Sequence, residues 1–358
     1  MDIKCIFYII LFLKNLVNIY QLQIINYTEH ERISVMKTNL FSYNSILFTL
    51  IIILISTITI WKLPQTQNEY THIGIAVYDM DDTFINDYVT KLQNKIDRSS
   101  FSGKKVLYEI FDAEGNANRQ EHQLQYMYTQ NFDALLINLV TPSSAASVLN
   151  ETANYDIPVI LFNREADKKD LSISKQTWYV GTAAKKAGAI QADMLQNVWN
   201  TDKVNLDRNK NNKLDYILIE GEQTHFDAVR RTNGFLENSQ NLPLNQLANL
   251  SADWQRNLAS KKFAKLDTNI IQSAEAIICN NDDMALGVYD YYKQHNLKLP
   301  LILGINNSPE MNQKIQAGEI YGTVDNGTND QITYICKLLN NILNKTTNKQ
   351  HKIWYSTP

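Results

Sequence analysis

From Tyr70 onward, short β-branched or aliphatic runs alternate with longer stretches whose apolar positions recur every three to four residues. The first run, His72 to Tyr78, is followed by a helical period from Phe84 to Ile96. Lys105 to Phe111 precedes a helix over Asn118 to Tyr128, and Ala134 to Val140 precedes one over Ser143 to Ala153. Val159 to Phe162 is the next strand. A second series follows: strand Trp178 to Gly181, helix Ala183 to Trp199, strand Tyr216 to Glu220, helix Ala228 to Asn238 and a strand near Leu247 to Leu250. It continues with strand Ala276 to Cys279, helix Met284 to His295, strands Leu301 to Ile305 and Tyr321 to Val324, and helix Asp330 to Leu343. Strands alternating with helices predict parallel sheets covered on both faces, and the count predicts an α/β protein of two doubly wound lobes.

Length agrees, since 358 residues exceed one average domain. A net charge of -3 lacks the basic footprint of a phosphate-gripping protein, so nucleic acid is not an expected partner. The three cysteines, Cys5, Cys279 and Cys336, are too far apart in sequence for a thiolate zinc motif or a disulfide scaffold. No G-x-G-x-x-G follows the first strand and no G-x-x-x-x-G-K-[ST] occurs, so no phosphate cradle for a dinucleotide or nucleoside triphosphate is written here.

The amino terminus reads differently. Thr38 to Trp61 carries no charge, and its dense apolar part, Ile46 to Ile60, is flanked by Lys37 and Lys62. Met36-Lys37 begins the short positive region of an export signal. Residues 1–35 are therefore expected to be an over-extended start and 36–64 a signal peptide or a membrane anchor, leaving the remainder periplasmic or otherwise extracytoplasmic.

Ligands of open α/β sheets bind beyond the carboxyl ends of the strands. Those positions hold Asp81, Asp82 and Phe84 after the first strand, Asn138 in the third, and His225 with Asp227 after Glu220. Trp254, Asn280, Asn281, Asp282, Asn306 and Asn326 follow the later strands. Carboxylates and amides match hydroxyls that both donate and accept, and flat aromatics cover the C–H faces of a pyranose. A helix cap or turn explains any single Asp or Asn equally well. Their recurrence, with two aromatics among them, favours a sugar.

These residues resemble the periplasmic galactose/glucose-binding proteins, type I sugar-binding components of ABC importers. The segments that carry the resemblance are IGIAVYDMDDTF (73–84), ALLINLVTPSSAASV (134–148), IPVILFNRE (157–165), YVGT (179–182), GEQTHFDAVRRT (221–232), EAIICNNDDMALG (275–287) and GTVDN (322–326). The resemblance implies that Asp82, Asn138, His225, Asp227, Arg231, Asn281 and Asn326 hydrogen-bond a sugar while Phe84 and Trp254 stack on its two faces. Asn306 stands where the family has Asp, which changes the expected hydroxyl preference at one contact. It further implies a three-segment hinge, expected near Ile157 to Val159, near Asp325 to Gly327 and close to Trp354. The first lobe is then 70–157 plus 326–352, and the second 158–325 plus 353–358.

The second lobe also carries a cation-loop pattern. Asp207, Asn209, Asn211, the Lys213 carbonyl and Asp215 occupy positions 1, 3, 5, 7 and 9 of an EF-hand-like loop, with Asn212 where glycine is usual. The resemblance supplies Glu275 as the bidentate carboxylate for a structural calcium ion. Arg208, Lys210 and Lys213 dilute the negative field, so a solvated polar loop stays open as an alternative. The expected function is a non-enzymatic monomer that captures glucose or galactose and hands it to a membrane ABC permease, with a chemoreceptor as a second partner. The alternative is a membrane-tethered sugar sensor signalling to a chemoreceptor or kinase. A glycosidase is disfavoured because isolated carboxylates among many amides suit holding hydroxyls.

Overall fold

The computed structural model describes residues 70–99, 101, 103–346 and 352–358, so the expected amino-terminal elements, 1–35 and 36–64, lie outside the described residues. Among the described residues no helix is long and apolar enough to cross a membrane.

The chain begins with β1 (Tyr70–Val77), α1 (Thr83–Asp97), β2 (Lys105–Asp112), α2 (Ala117–Thr129), β3 (Ala134–Ile137), α3 (Ala145–Asn154), β4 (Val159–Phe162) and β5 (Thr177–Thr182). It continues with α4 (Ala184–Leu206), β6 (Leu214–Glu220), α5 (Phe226–Asn238), β7 (Leu244–Ser251), α6 (Arg256–Phe263) and α7 (Thr268–Ser273). The last elements are β8 (Ala276–Cys279), α8 (Asp282–Gln294), β9 (Leu301–Ile305), α9 (Pro309–Gln316), β10 (Gly322–Val324), α10 (Thr328–Leu343) and β11 (Ile353–Ser356). Two sheets result, ordered β11-β5-β4-β3-β1-β2 and β10-β9-β8-β6-β7. Every pairing within them is parallel.

Alternation along the strands explains the layers. Ile73, Ile75 and Val77 of β1 join Leu136, Ile160 and Val180 under α1 and α10. Ala76, Leu135, Ile137, Val159 and Leu161 face the other way, against α2 and α3. In the second lobe Ile217, Ile219 and Ile277 pack on α6 and α8, while Tyr216, Leu218 and Ile278 pack towards α4 and α5. The α4–α5 crossing is close because it is built on glycine: a Cβ on Gly188 would collide with the Arg231 carbonyl, and one on Gly234 with the Lys185 carbonyl.

The lobe boundary differs from the expectation. β4 and β5 both belong to the first sheet, with Leu135 opposite Val159 and Ile160 opposite Trp178, and β11 pairs with β5 as well. The first crossing is therefore at Ala183, not near residue 157, and 353–356 belong to the first lobe. The cause is burial: the VILF of β4 is apolar on both faces and is covered only between β3 and β5. The described chain thus crosses between lobes at Ala183 and near Asn326, and the crossing expected close to Trp354 is not made, since β11 stays in the first sheet beside both crossings. The Ala183 amide donates to the Ser356 carbonyl, and the Ser356 hydroxyl donates to the Asn326 carbonyl at 3.1 Å.

Candidate functional site

The carboxyl ends of both sheets face each other, and helix starts hold the polar side chains there. Asp82 caps α1, accepting from the Ile85 amide at 3.0 Å, and also accepts the Tyr78 hydroxyl. His225 caps α5 through Nδ1, which accepts from the Asp227 amide at 3.1 Å. Asn281 caps α8 and donates to the Trp254 carbonyl at 2.9 Å. Trp254 itself follows β7 at φ +70° and lies against Gly221, where any side chain would enter the indole.

Two adjoining cavities result. The inner one, about 40 Å³, is lined by Asp82, Phe84, His225, Asp227, Arg231, Trp254, Asn281 and Asn306 together with Tyr78, Asn163 and Arg164. The outer one, about 920 Å³, shares Tyr78, Asp82, Phe84, Arg164, Trp254 and Asn306 with it and extends past Glu222, Asp253, Arg256 and Asp283. Phe84 enters from the first lobe and Trp254 from the second, so the two aromatics are on opposite sides of the cleft.

Burial sets the charge states. Desolvation raises Asp227 to about 6, with the Arg231 guanidinium opposing it. Desolvation also raises Asp82, against the Tyr78 hydrogen bond that favours its ionised form. His225 is pushed well below the usual histidine range by burial and then by Arg164, Arg231 and Arg230, so its ring is neutral at pH 7. Since Nδ1 accepts from a backbone N–H, the ring hydrogen resides on Nε2, which makes that atom a donor. Arg231 donates to the Asn280 carbonyl at 2.6 Å and to Asn326 Oδ1 at 3.1 Å. Asp227 Oδ1, Arg231 Nε and Asn326 Nδ2 are nonetheless buried with no hydrogen-bond partner among the described residues. Orphaned buried polar atoms are costly and call for an explanation.

Eight of the ten expected contact residues line the inner cavity; Asn138 and Asn326 do not. Asn138 is fully buried behind it, accepting from the Tyr78 amide at 3.3 Å and donating to the Phe162 carbonyl and Asn163 Oδ1, both at 3.1 Å. Its bonding capacity is spent on positioning Tyr78 and Asn163. Asn326 reaches the site through Arg231. Conversely, Tyr78, Asn163 and Arg164 line the inner cavity without having been singled out. They follow the first and fourth strands, where the strand-end rule, applied at every strand, would have found them.

The expected calcium loop takes the anticipated turn. Asn212 is left-handed at φ +62°, and Asp207 accepts from the Asn211 and Asn212 amides at 3.1 and 3.0 Å. The Asn209 side-chain amide donates to Asp215 at 2.7 Å, and Asn211 Oδ1 accepts from the Lys213 amide at 2.7 Å. Glu275 accepts from the Arg208 and Asp215 amides at 2.6 and 3.0 Å. Each of these oxygens keeps lone pairs beyond the bonds it accepts, and among the described residues no group of three His, Cys, Asp or Glu side chains forms a metal cluster by itself.

Two parallel-sheet lobes, with polar groups suited to hydroxyls and an aromatic from each lobe between them, define a two-lobed solute-binding protein. Residues 73–347 match the periplasmic binding protein domain, and the chain belongs to that family. It is 34% identical over 275 residues to the D-galactose/methyl-galactoside binding periplasmic protein MglB of Haemophilus influenzae, covering 75% of this chain and 81% of the relative. It is 26% identical over 292 residues to the ribose import binding protein RbsB of Bacillus subtilis, covering 78% and 86%. In fold it resembles an ABC transporter periplasmic solute binding protein from Actinobacillus succinogenes with bound D-allose, at TM-score 0.68, 16% identity, and 80% and 95% coverage. Solute-binding members of this family work outside the cytoplasm, which agrees with the expected location.

Proposed function

We propose that this protein captures a hexose outside the cytoplasm and delivers it to the membrane permease of an ABC importer. The observation that carries the reading is the pair of orphaned buried atoms, Asp227 Oδ1 and Arg231 Nε, on residues lining a cleft walled by Phe84 and Trp254. An acceptor and a donor without partners suit neighbouring hydroxyl groups, each of which donates and accepts. The inner cavity has room for hydroxyl-sized groups only. The ring then sits where the two cavities share lining, between the aromatics. Galactose or glucose is the proposed sugar, supported by the 34% identity to the galactose-binding relative. A permease is the proposed recipient, and a chemoreceptor a secondary one. The tethered-sensor alternative rests on the apolar segment 46–60, which lies outside the described residues.

Calorimetric titration with galactose, glucose, ribose, allose and myo-inositol tests the reading. Saturable binding of galactose or glucose, lost in Trp254→Ala, is the expected result. Binding by none of the five would overturn it.

A further inference from the structure

At the mouth of the cleft two adjacent residues of the first lobe carry opposite charges, and each meets its opposite on the second lobe. Arg164, just after β4, forks onto Glu222 at 2.6 and 3.3 Å, donates to the Val140 carbonyl at 3.0 Å, and lies 3.8 Å from the centre of the Tyr78 ring. Glu165 receives both terminal nitrogens of Arg230 on α5 and the Tyr355 hydroxyl at 2.7 Å. The first-lobe members are buried, Arg164 at 3% and Glu165 at 1% side-chain exposure, whereas Glu222 and Arg230 remain 31% and 33% exposed.

We infer that these crossed ion pairs are a closure clamp, and that Arg164 is a positioning residue for the ligand. Two features argue for it. The polarity runs Arg, Glu on one lobe and Glu, Arg on the other, so a slip that brought residue 164 to 230, or 165 to 222, would set like charges together. Such pairing fixes register by repulsion as well as attraction. The second feature is the connection inward: Glu222 holds Arg164, Arg164 covers Tyr78, and the Tyr78 hydroxyl bonds Asp82 in the cavity. Closing the lobes thus orders a cavity carboxylate that no second-lobe residue of the clamp touches. A buried ion pair adds little dependable net stability, so the role inferred for this one is to select one closed arrangement and not to stiffen the fold.

The decisive variant is Glu222→Arg with Arg230→Glu. It leaves net charge unchanged, alters only the two more exposed members, and places Arg opposite Arg164 and Glu opposite Glu165. X-ray scattering of the sugar-free protein is expected to show a larger radius of gyration than wild type, while circular dichroism is unchanged. Glu222→Gln, which only removes a charge, is expected to shift scattering the same way by less. Where galactose binds, its dissociation constant should rise at least tenfold in the double variant. A double variant that scatters like wild type overturns the clamp. Because scattering is read without sugar, failure of every sugar to bind would overturn the hexose reading and leave this result decisive by itself.

Discussion

Asn281 donates its side-chain amide to the Trp254 carbonyl at 2.9 Å while accepting the Met284 amide at 2.9 Å, so one residue both caps α8 and anchors the aromatic wall of the cleft. Trp254 needs that anchor. Its backbone is left-handed, a conformation that costs a bulky residue about 1 kcal/mol or more.

Trp254→Ala should weaken hexose binding by about 2 to 4 kcal/mol, the range of a central buried truncation. Calorimetry against galactose and glucose checks this. Asn281→Ala should reach part of that loss indirectly and lower stability by about 1 kcal/mol through the missing cap. Hexose affinity matching wild type in Trp254→Ala would remove Trp254 from the site.

Asp227 gives a pH dependence. Its folded-state pKa of about 6 lies above the ordinary 3.8, so between these values the folded protein holds a proton that the unfolded chain has released. Stability of the free protein contributed by this group is therefore present at low pH and declines as pH rises through that window. Asn imitates the protonated acid. Asp227→Asn should flatten the decline in a series of melting curves between about pH 4 and pH 7 and should weaken sugar binding at pH 7. An unchanged slope would exclude Asp227 as its source.

Asn306 lines both cavities at φ +143°, and no hydrogen bond reaches its side chain among the described residues. Arg164 and Arg231 line the same inner cavity. A carboxylate at 306 would accept from sugar hydroxyls through charge-assisted bonds, so Asn306→Asp is expected to tighten hexose binding by about 1 to 1.5 kcal/mol, near tenfold. Weakening across all sugars would instead indicate a ligand that uses the amide as a donor.

Gly188 permits α4 to touch the Arg231 carbonyl. Gly188→Ala should force the helices apart, costing about 1 to 3 kcal/mol in denaturant titration, and should displace Arg231 from the cleft. Retained stability with wild-type affinity would show that the crossing can relax.

The loop at 207–215 has its carboxylates bonded to N–H groups. Calcium is expected to raise the melting temperature of wild type and not of Glu275→Gln, since an ion that binds only the folded state stabilises it. An unchanged melting temperature in excess calcium would exclude the loop as a calcium site.

Much of the architecture was legible because it is local. Four-residue apolar runs such as AIIC at 276–279 announce strands buried on both faces, and Asp or Asn after them announces the helix starts at Asp82 and Asn281. Helices α6, α7 and α9 were not legible: each is eight residues or fewer and buries two residues or fewer, too little to imprint a period. The lobe boundary was hidden for another reason. A strand's apolar run records that it is covered, not by which sheet, and only pairing with β3 and β5 assigns β4. The same holds for chemistry. Residue type and position nominated Asp227 and Trp254, and the family resemblance nominated Arg231, whereas the withdrawal of Asn138 behind the cavity and the meeting of Arg164 with Glu222, fifty-eight positions apart, exist only once two sheets face each other. Hydrogen-bonding capacity belongs to a side chain, but whether a ligand or a neighbour consumes it is decided by distance in the folded chain.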